Sequence, residues 1–165
     1  MQTLRLVTLL AATVSMGLMA GVFGIYANAV MPGLRRVDDA TFVRAFAALD
    51  RAIVNPLFLV VGFLGAPLLT GLALVAHLAD DARPPVPWLM AALALYLAVF
   101  AVTVAVNVPR NNALKAADPA TADVAGVRAA FNERLWARWN VVRAVLTTTA
   151  FALLAYALVK AGGLI

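Results

Sequence analysis

The chain contains no cysteine, which removes disulfides, thiolate metal sites and thiol nucleophiles together. Imidazole is almost as scarce, with His77 as the single histidine. A haem or metal held there would need a second ligand that no spacing announces. Charge is the third shortage: 13% of the 165 residues are charged and 64% are hydrophobic, against roughly 45–50% apolar in soluble domains. Mean hydropathy is +0.93. Such a chain reads as one small integral membrane domain over residues 1–165. Also absent are G-x-S-x-G, the P-loop and H-E-x-x-H, so serine hydrolase, nucleotide-phosphate and zinc-protease chemistry have no support.

What is present is long uncharged sequence. Residues 6–34, 52–79 and 84–109 carry no acidic residue, lysine or arginine, and each exceeds the ~20 residues that cross a bilayer as a helix. The fourth such run, 144–159, has 16 residues, or roughly 24 Å, short of a ~30 Å hydrocarbon core. It must borrow length at an end, which brings Arg143 or Lys160 to the hydrocarbon boundary. Four spans follow, at about 4–30, 55–78, 87–107 and 140–161. Arg5, the first apolar run and "ANA" at 27–29 imitate a secretory signal. The run is too long for one, and Gly17 and Gly21 inside it have the spacing of closely packed membrane helices, so it is read as a retained span.

The connection "ADDARPPV" at 79–86 is tight, making an antiparallel hairpin of the second and third spans. The other two connections are longer. In the first, Asp38 or Asp39 can cap a helix in which Phe42, Phe46, Leu49 and Ile53 share a face. In the second, Asp118-Pro119 is a helix start, and Val124, Val127, Phe131 and Leu135 repeat that spacing. The sequence therefore predicts an all-α membrane four-helix bundle with two amphipathic cap helices, in segments 38–53 and 118–139, on one face. Of 13 Lys and Arg residues, only Arg5, Arg83 and Lys160 fall on the other side. The positive-inside bias then puts the cap in the cytoplasm and both termini outside, as in a bacterial cytoplasmic membrane. Topology and lipid headgroups account for the net charge of +5, and no nucleic-acid partner is expected.

Polar residues gather at the capped end. In "WARWNVVR", Trp136, Asn140 and Arg143 form a helical stripe with Trp139 beside it. Interfacial tryptophans and a snorkelling arginine are ordinary there, but Asn140 and Arg143 at the edge of hydrocarbon need partners. "NVPRNN" at 107–112 supplies them: Pro109 should break the helix just after Asn107, leaving Asn107, Asn111 and Asn112 around an opening. Asn107 or Asn111 is the expected partner of Arg143. Asn55 before Pro56, and Asn28 before Pro32 at the end of the first span, lie at the same level. Gly17, Gly21 and Asn28 share a face that packs a neighbouring helix or forms a groove. His77 lies about 30 Å away along its helix and is expected to be solvated.

Three segments together, "AGVFGIYANAVMPGL" at 20–34, "NVPRNNAL" at 107–114 and "WARWNVVRAV" at 136–145, resemble the anthrone oxygenase-like family of small four-helix membrane proteins. The resemblance implies oxidation of an anthrone-type lipophilic polycyclic phenol to a quinone by molecular oxygen. It makes Arg143, Asn140 and Asn107 the catalytic candidates and Trp136, Trp139, Asn111, Asn28 and Asn55 the substrate-binding ones. An electron-rich enolate can react with oxygen unaided, so no cofactor and no metal are expected. Arg143 can stabilise the oxyanion but cannot act as the base. Glu133 and Asp50 are the nearest carboxylates by sequence, and nothing in the sequence places either in a pocket. Membrane lipid, an aromatic substrate and oxygen are the expected partners, with a homo-oligomer left open. The alternative is a non-catalytic membrane protein whose polar stripe ties helices together, or which binds a partner or small hydrophobic ligand.

Overall fold

A computed structural model describes residues 2–78, 84–117 and 123–162. All of its elements are helical, and four stretches are long and apolar enough to cross a membrane: Gln2–Leu34, Leu57–Leu78, Val86–Ala116 and Val124–Ala161. The first contains α1 (Gln2–Ile25) and the short α2 (Met31–Leu34). Then come α3 (Asp39–Ile53), α4 (Gly65–Leu78), α5 (Val86–Val102), α6 (Val108–Ala116), α7 (Val124–Phe131) and α8 (Glu133–Ala161).

The long helices pack in a closed ring, α1 on α8, α8 on α5, α5 on α4 and α4 on α1. Their shared core alternates large and small side chains. Leu9, Met16, Leu89, Tyr96 and Leu154 are fully buried beside Ala12, Ala66, Ala73, Ala92, Ala150 and Ala157. Between membrane helices packing replaces the hydrophobic effect as the driving force, so these alanines matter because they let backbones approach. The outer faces expose Leu68, Val75, Leu97 and Val145, as lipid-facing surfaces do. Gly17 faces α8, where an added Cβ would lie 2.9 Å from the Phe151 ring, while the Cβ of Gly21 would meet open space. The face expected to hold Gly17, Gly21 and Asn28 is therefore a helix contact at Gly17 and no groove, for Asn28 is exposed.

Three π-helical turns interrupt the spans at one end: Tyr26–Val30, Leu57–Leu64 and Thr103–Asn107. Each precedes a proline, Pro32, Pro67 and Pro109 in turn. A proline has no N–H to donate, and its ring collides with the carbonyl four residues back. The wider turn relieves both problems without stopping the helix. The breaks expected after Asn107 and near Asn28 are thus widened turns, and the helices run on to Leu34 and Ala116. Side chains take up the loosened carbonyls. Tyr96 Oη donates to the Phe63 carbonyl, four residues before Pro67, at 3.2 Å, and Ser15 Oγ donates to the Val61 carbonyl.

A second cluster forms beyond the π turns. Phe42, Val43 and Phe46 of α3 pack with Met31, Leu114, Phe131 and Trp136. Asp38 caps α3 by accepting from Thr41 N at 3.0 Å and from its hydroxyl at 2.6 Å; these bonds hold its carboxyl below the ordinary value. The expected helix start at Asp118-Pro119 lies outside the described residues. The helix expected to run to 139 is interrupted at Asn132, which takes a left-handed conformation (φ 52°) that asparagine tolerates. Asn132 Oδ1 then caps α8 by accepting from Leu135 N at 3.2 Å. Arg128 ties the junction together, donating to Asp39 and Glu133, both at 3.0 Å, while Arg35 reaches Glu133 at 2.7 Å.

Candidate functional site

The second and third spans touch through α4 and α5. Nearer the π turns they enclose a cavity of about 280 Å³. Every π turn contributes to its wall: Tyr26 from the first, Phe58, Leu59 and Phe63 from the second, Thr103 and Asn107 from the third. Trp136, Asn140 and Arg143 come from α8, Asp50 and Val54 from the end of α3, and Asn111, Asn112 and Lys115 from α6. Val54, Leu59 and Val108 among these are apolar yet 50%, 36% and 39% exposed. They give the cavity an oily mouth.

Arg143 is 5% exposed, so its guanidinium must find donors' partners inside the protein. Two are set by other bonds. Thr103 commits its hydroxyl proton to the Val99 carbonyl at 2.8 Å, leaving a lone pair that accepts from Arg143 Nη1 at 3.3 Å. Asn140 donates its amide to the Phe23 carbonyl at 3.1 Å, which turns Oδ1 toward Arg143 Nη2 at 2.8 Å. With its oxygen turned the same way, Asn107 accepts from Arg143 Nη2 at 3.3 Å and from Trp136 Nε1 at 3.2 Å. The charge also lies over the Phe23 ring at 4.6 Å and the Trp136 ring at 5.4 Å. All these partners are neutral. Among the described residues no carboxylate pairs with Arg143, and its Nε has no hydrogen-bond partner.

A second polar arm runs along the wall. Trp136 Nε1 donates to Asn111 Oδ1 at 2.7 Å, Asn111 donates in turn to Asp50 Oδ1 at 2.7 Å, and Asp50 Oδ2 pairs with Lys115 Nζ at 2.6 Å. The expected partners of Arg143 thus divide. Asn107 is within reach of it and Asn111 instead serves Trp136, while Asn140 and Thr103 make the direct contacts.

Of the residues singled out in the sequence, Arg143, Asn140, Asn107, Trp136 and Asn111 line one cavity. Trp139, Asn28 and Asn55 are not in its lining. Asn55 caps the second span, accepting from Phe58 N at 3.0 Å and donating to the Ala52 carbonyl at 3.0 Å. His77 is 4% exposed rather than solvated, because its ring turns back on its own helix, with Nδ1 at 2.7 Å from the Ala73 carbonyl. Sequence reasoning missed Tyr26, Thr103 and Lys115, and it left Asp50 unplaced. For Asp50 a signal existed: it follows Phe42 and Phe46 at i+8 and i+4, a carboxylate on the buried stripe of α3.

The fold and cavity define an all-helical integral membrane protein with a buried arginine, hydrogen-bonded to neutral acceptors, in a pocket between its spans. The chain belongs to the anthrone oxygenase family, whose model matches residues 56–153. That match takes in the π turns of the second and third spans and the α8 stripe, and leaves out Tyr26 and Asp50. No curated protein and no solved structure matches the chain.

Proposed function

We propose that the protein oxidises a lipophilic polycyclic phenol of the anthrone type with molecular oxygen, in the cavity around Arg143. The observation that carries this reading is a guanidinium held at the cavity wall by neutral acceptors alone. A buried cation without a counter-ion is costly, and it is suited to an anion that appears only when substrate reacts. An anthrone becomes such an anion when its methylene loses a proton and negative charge settles on the ring oxygen. In the overall change CH₂ becomes C=O, one atom of O₂ enters the product and the other leaves as water. The lining offers one carboxylate and no histidine, which is not the donor set of a metal centre.

Size and polarity favour the same class of ligand. The volume of about 280 Å³ is at the small end for ligand pockets and suits a rigid ligand of about three fused rings. Phe23, Tyr26, Phe58, Phe63 and Trp136 supply flat apolar walls. The apolar mouth lets such a molecule enter from lipid between the second and third spans. In this reading α3 lies on the cytoplasmic side of a bacterial cytoplasmic membrane, with the Gln2 end of α1 and the Ala161 end of α8 outside; the orientation rests on the distribution of Lys and Arg.

The test is oxygen uptake by purified protein in detergent with an anthrone, above the spontaneous rate. Arg143→Gln should lower turnover by about 10² to 10³-fold, as for removal of one oxyanion donor, while Arg143→Lys recovers part of it without the planar fork. Wild-type protein that takes up no oxygen, and is not stabilised by polycyclic phenols, refutes the proposal. Stabilisation without oxygen uptake favours the non-catalytic binding alternative instead.

A further inference from the structure

We propose that Asp50 is the general base of this oxidation, and the inference rests on the oxidation proposed above. Asp50 is the one carboxylate in the cavity lining. The other ionisable groups there are Tyr26, Lys115 and Arg143. An arginine does not give up its proton in proteins, a tyrosine is a weak acid, and Lys115 is the ion-pair partner of Asp50. The remaining candidate by sequence, Glu133, is spent on Arg35 and Arg128 at 2.7 and 3.0 Å and lies outside this cavity.

The position of Asp50 is not what a structural ion pair requires. A link between α3 and α6 could sit on the solvated face of α3, where Arg44 and Arg51 already are. Asp50 is instead on the phenylalanine face and 8% exposed, where burial of a charge is penalised. Its carboxylate has about four acceptor sites. Asn111 uses one on Oδ1 and Lys115 one on Oδ2, so acceptor capacity remains for a proton from the cavity. Asp50 and Arg143 are also held in fixed relation. The single indole N–H of Trp136 goes to Asn111 on the Asp50 side at 2.7 Å and, with the Asn107 amide turned, is shared at 3.2 Å with Asn107 on the Arg143 side, which places a base and an oxyanion site at two ends of one polar network.

The chemistry then balances with a single base used twice. Asp50 takes a proton from the substrate methylene, and the C–H electron pair moves toward the ring carbonyl, whose oxyanion rests on Arg143. Oxygen accepts electrons from this anion and bonds to the same carbon, and the resulting peroxide receives the proton from Asp50. Asp50 removes the second hydrogen of that carbon as a proton; the C–H pair forms the new C=O, the O–O bond breaks, and hydroxide leaves and collects the proton as water. Asp50 ends each cycle as it began.

The experiment compares oxygen uptake with an anthrone, and thermal stabilisation by the corresponding anthraquinone, for wild type, Asp50→Asn and Asp50→Glu in detergent. Asp50→Asn should lose about 10² to 10⁴-fold in turnover yet still be stabilised by the quinone. Asp50→Asn activity within about tenfold of wild type overturns the assignment of the base and leaves the oxidation standing. A wild-type protein with no oxygen uptake overturns both. Should Asp50→Asn fail to fold, Asp50→Glu decides. That variant keeps a carboxylate within reach of Lys115 but displaces it by about one methylene, so turnover should fall by about 10²-fold and the kinetic isotope effect of a dideuterated substrate methylene should rise, which a mere helix link would not cause. Asp50→Glu with turnover and isotope effect both as in wild type overturns the proposal.

Discussion

Removing the Asn140 amide should cost far more when Arg143 is present than when it is not. In the native cavity Asn140→Ala breaks a hydrogen bond to a buried cation at 2.8 Å and another to the Phe23 carbonyl at 3.1 Å. Bonds to charged groups contribute about 1.5–3 kcal/mol and neutral ones about 0.5–1.5 kcal/mol, so the single change should destabilise by about 2 to 4 kcal/mol. In an Arg143→Met background only the neutral bond remains to be lost, and Asn140→Ala should cost about 1 kcal/mol. The coupling energy is then about 1 to 3 kcal/mol, inside the range for residues in one network. Arg143→Met alone removes a buried charge but leaves the Asn140 oxygen without its donor, so it should itself cost about 1–3 kcal/mol. The same cycle with Asn107→Ala should give a smaller coupling, its contact being 3.3 Å long and shared with Trp136. Reversible unfolding in mixed detergent micelles measures all of these variants. If Asn140→Ala costs the same in both backgrounds to within about 0.5 kcal/mol, the additivity limit for independent sites, the account of how Arg143 is held is wrong.

Two further predictions concern the frame. Single cysteines at Arg44 and Gln2, both exposed in a chain with no native thiol, should label differently with an impermeant reagent on intact cells: Gln2→Cys reacts and Arg44→Cys is protected, and the reverse pattern inverts the proposed orientation. A Cβ at Gly65 would lie 2.8 Å from the Val60 carbonyl and 3.3 Å from Ser15 Oγ, so Gly65→Ala should lower stability in detergent by about 1–3 kcal/mol, whereas Gly21→Ala, which meets nothing within 4 Å, should leave it unchanged or slightly raised.

The fold class was legible because lipid imposes one strong rule, that every backbone polar group be satisfied within the segment, and the long uncharged runs obey it openly. The polar stripe on α8 was legible for the same reason. Asn140 and Arg143 violate the surrounding composition, and such violations in hydrocarbon point to a partner. What could not be read was how prolines would be accommodated. Pro109 reads locally as a helix end, yet a widened turn carries the helix past it, with Arg110 Nη1 of the same helix donating to the Val106 carbonyl at 2.8 Å. Thr103 was invisible for a related reason: threonine bonding back to its own helix is common in spans, and only the fold shows its second lone pair on Arg143. Asp50 was hidden by its distance in sequence from the α8 stripe, although its register with Phe42 and Phe46 had marked it as a carboxylate turned inward.

The prolines and the cavity are one feature of this structure. A regular α-helix packed in a ring of four leaves no room between neighbours at the density of a protein interior. Each π turn adds a residue to its loop of backbone and pushes the following helix off line. With three of the four spans widened at the same level, α4 and α5 stay in contact while their continuations part around Arg143. Places where local sequence rules conflict with the observed element are the expected positions of functional or strained sites. Here the conflict falls at Pro32, Pro67 and Pro109, and all three π turns before them contribute side chains to the one cavity that holds the uncompensated charge. The helix irregularities are thus what gives a small bundle, with an otherwise alanine-packed core, enough space to enclose a ligand.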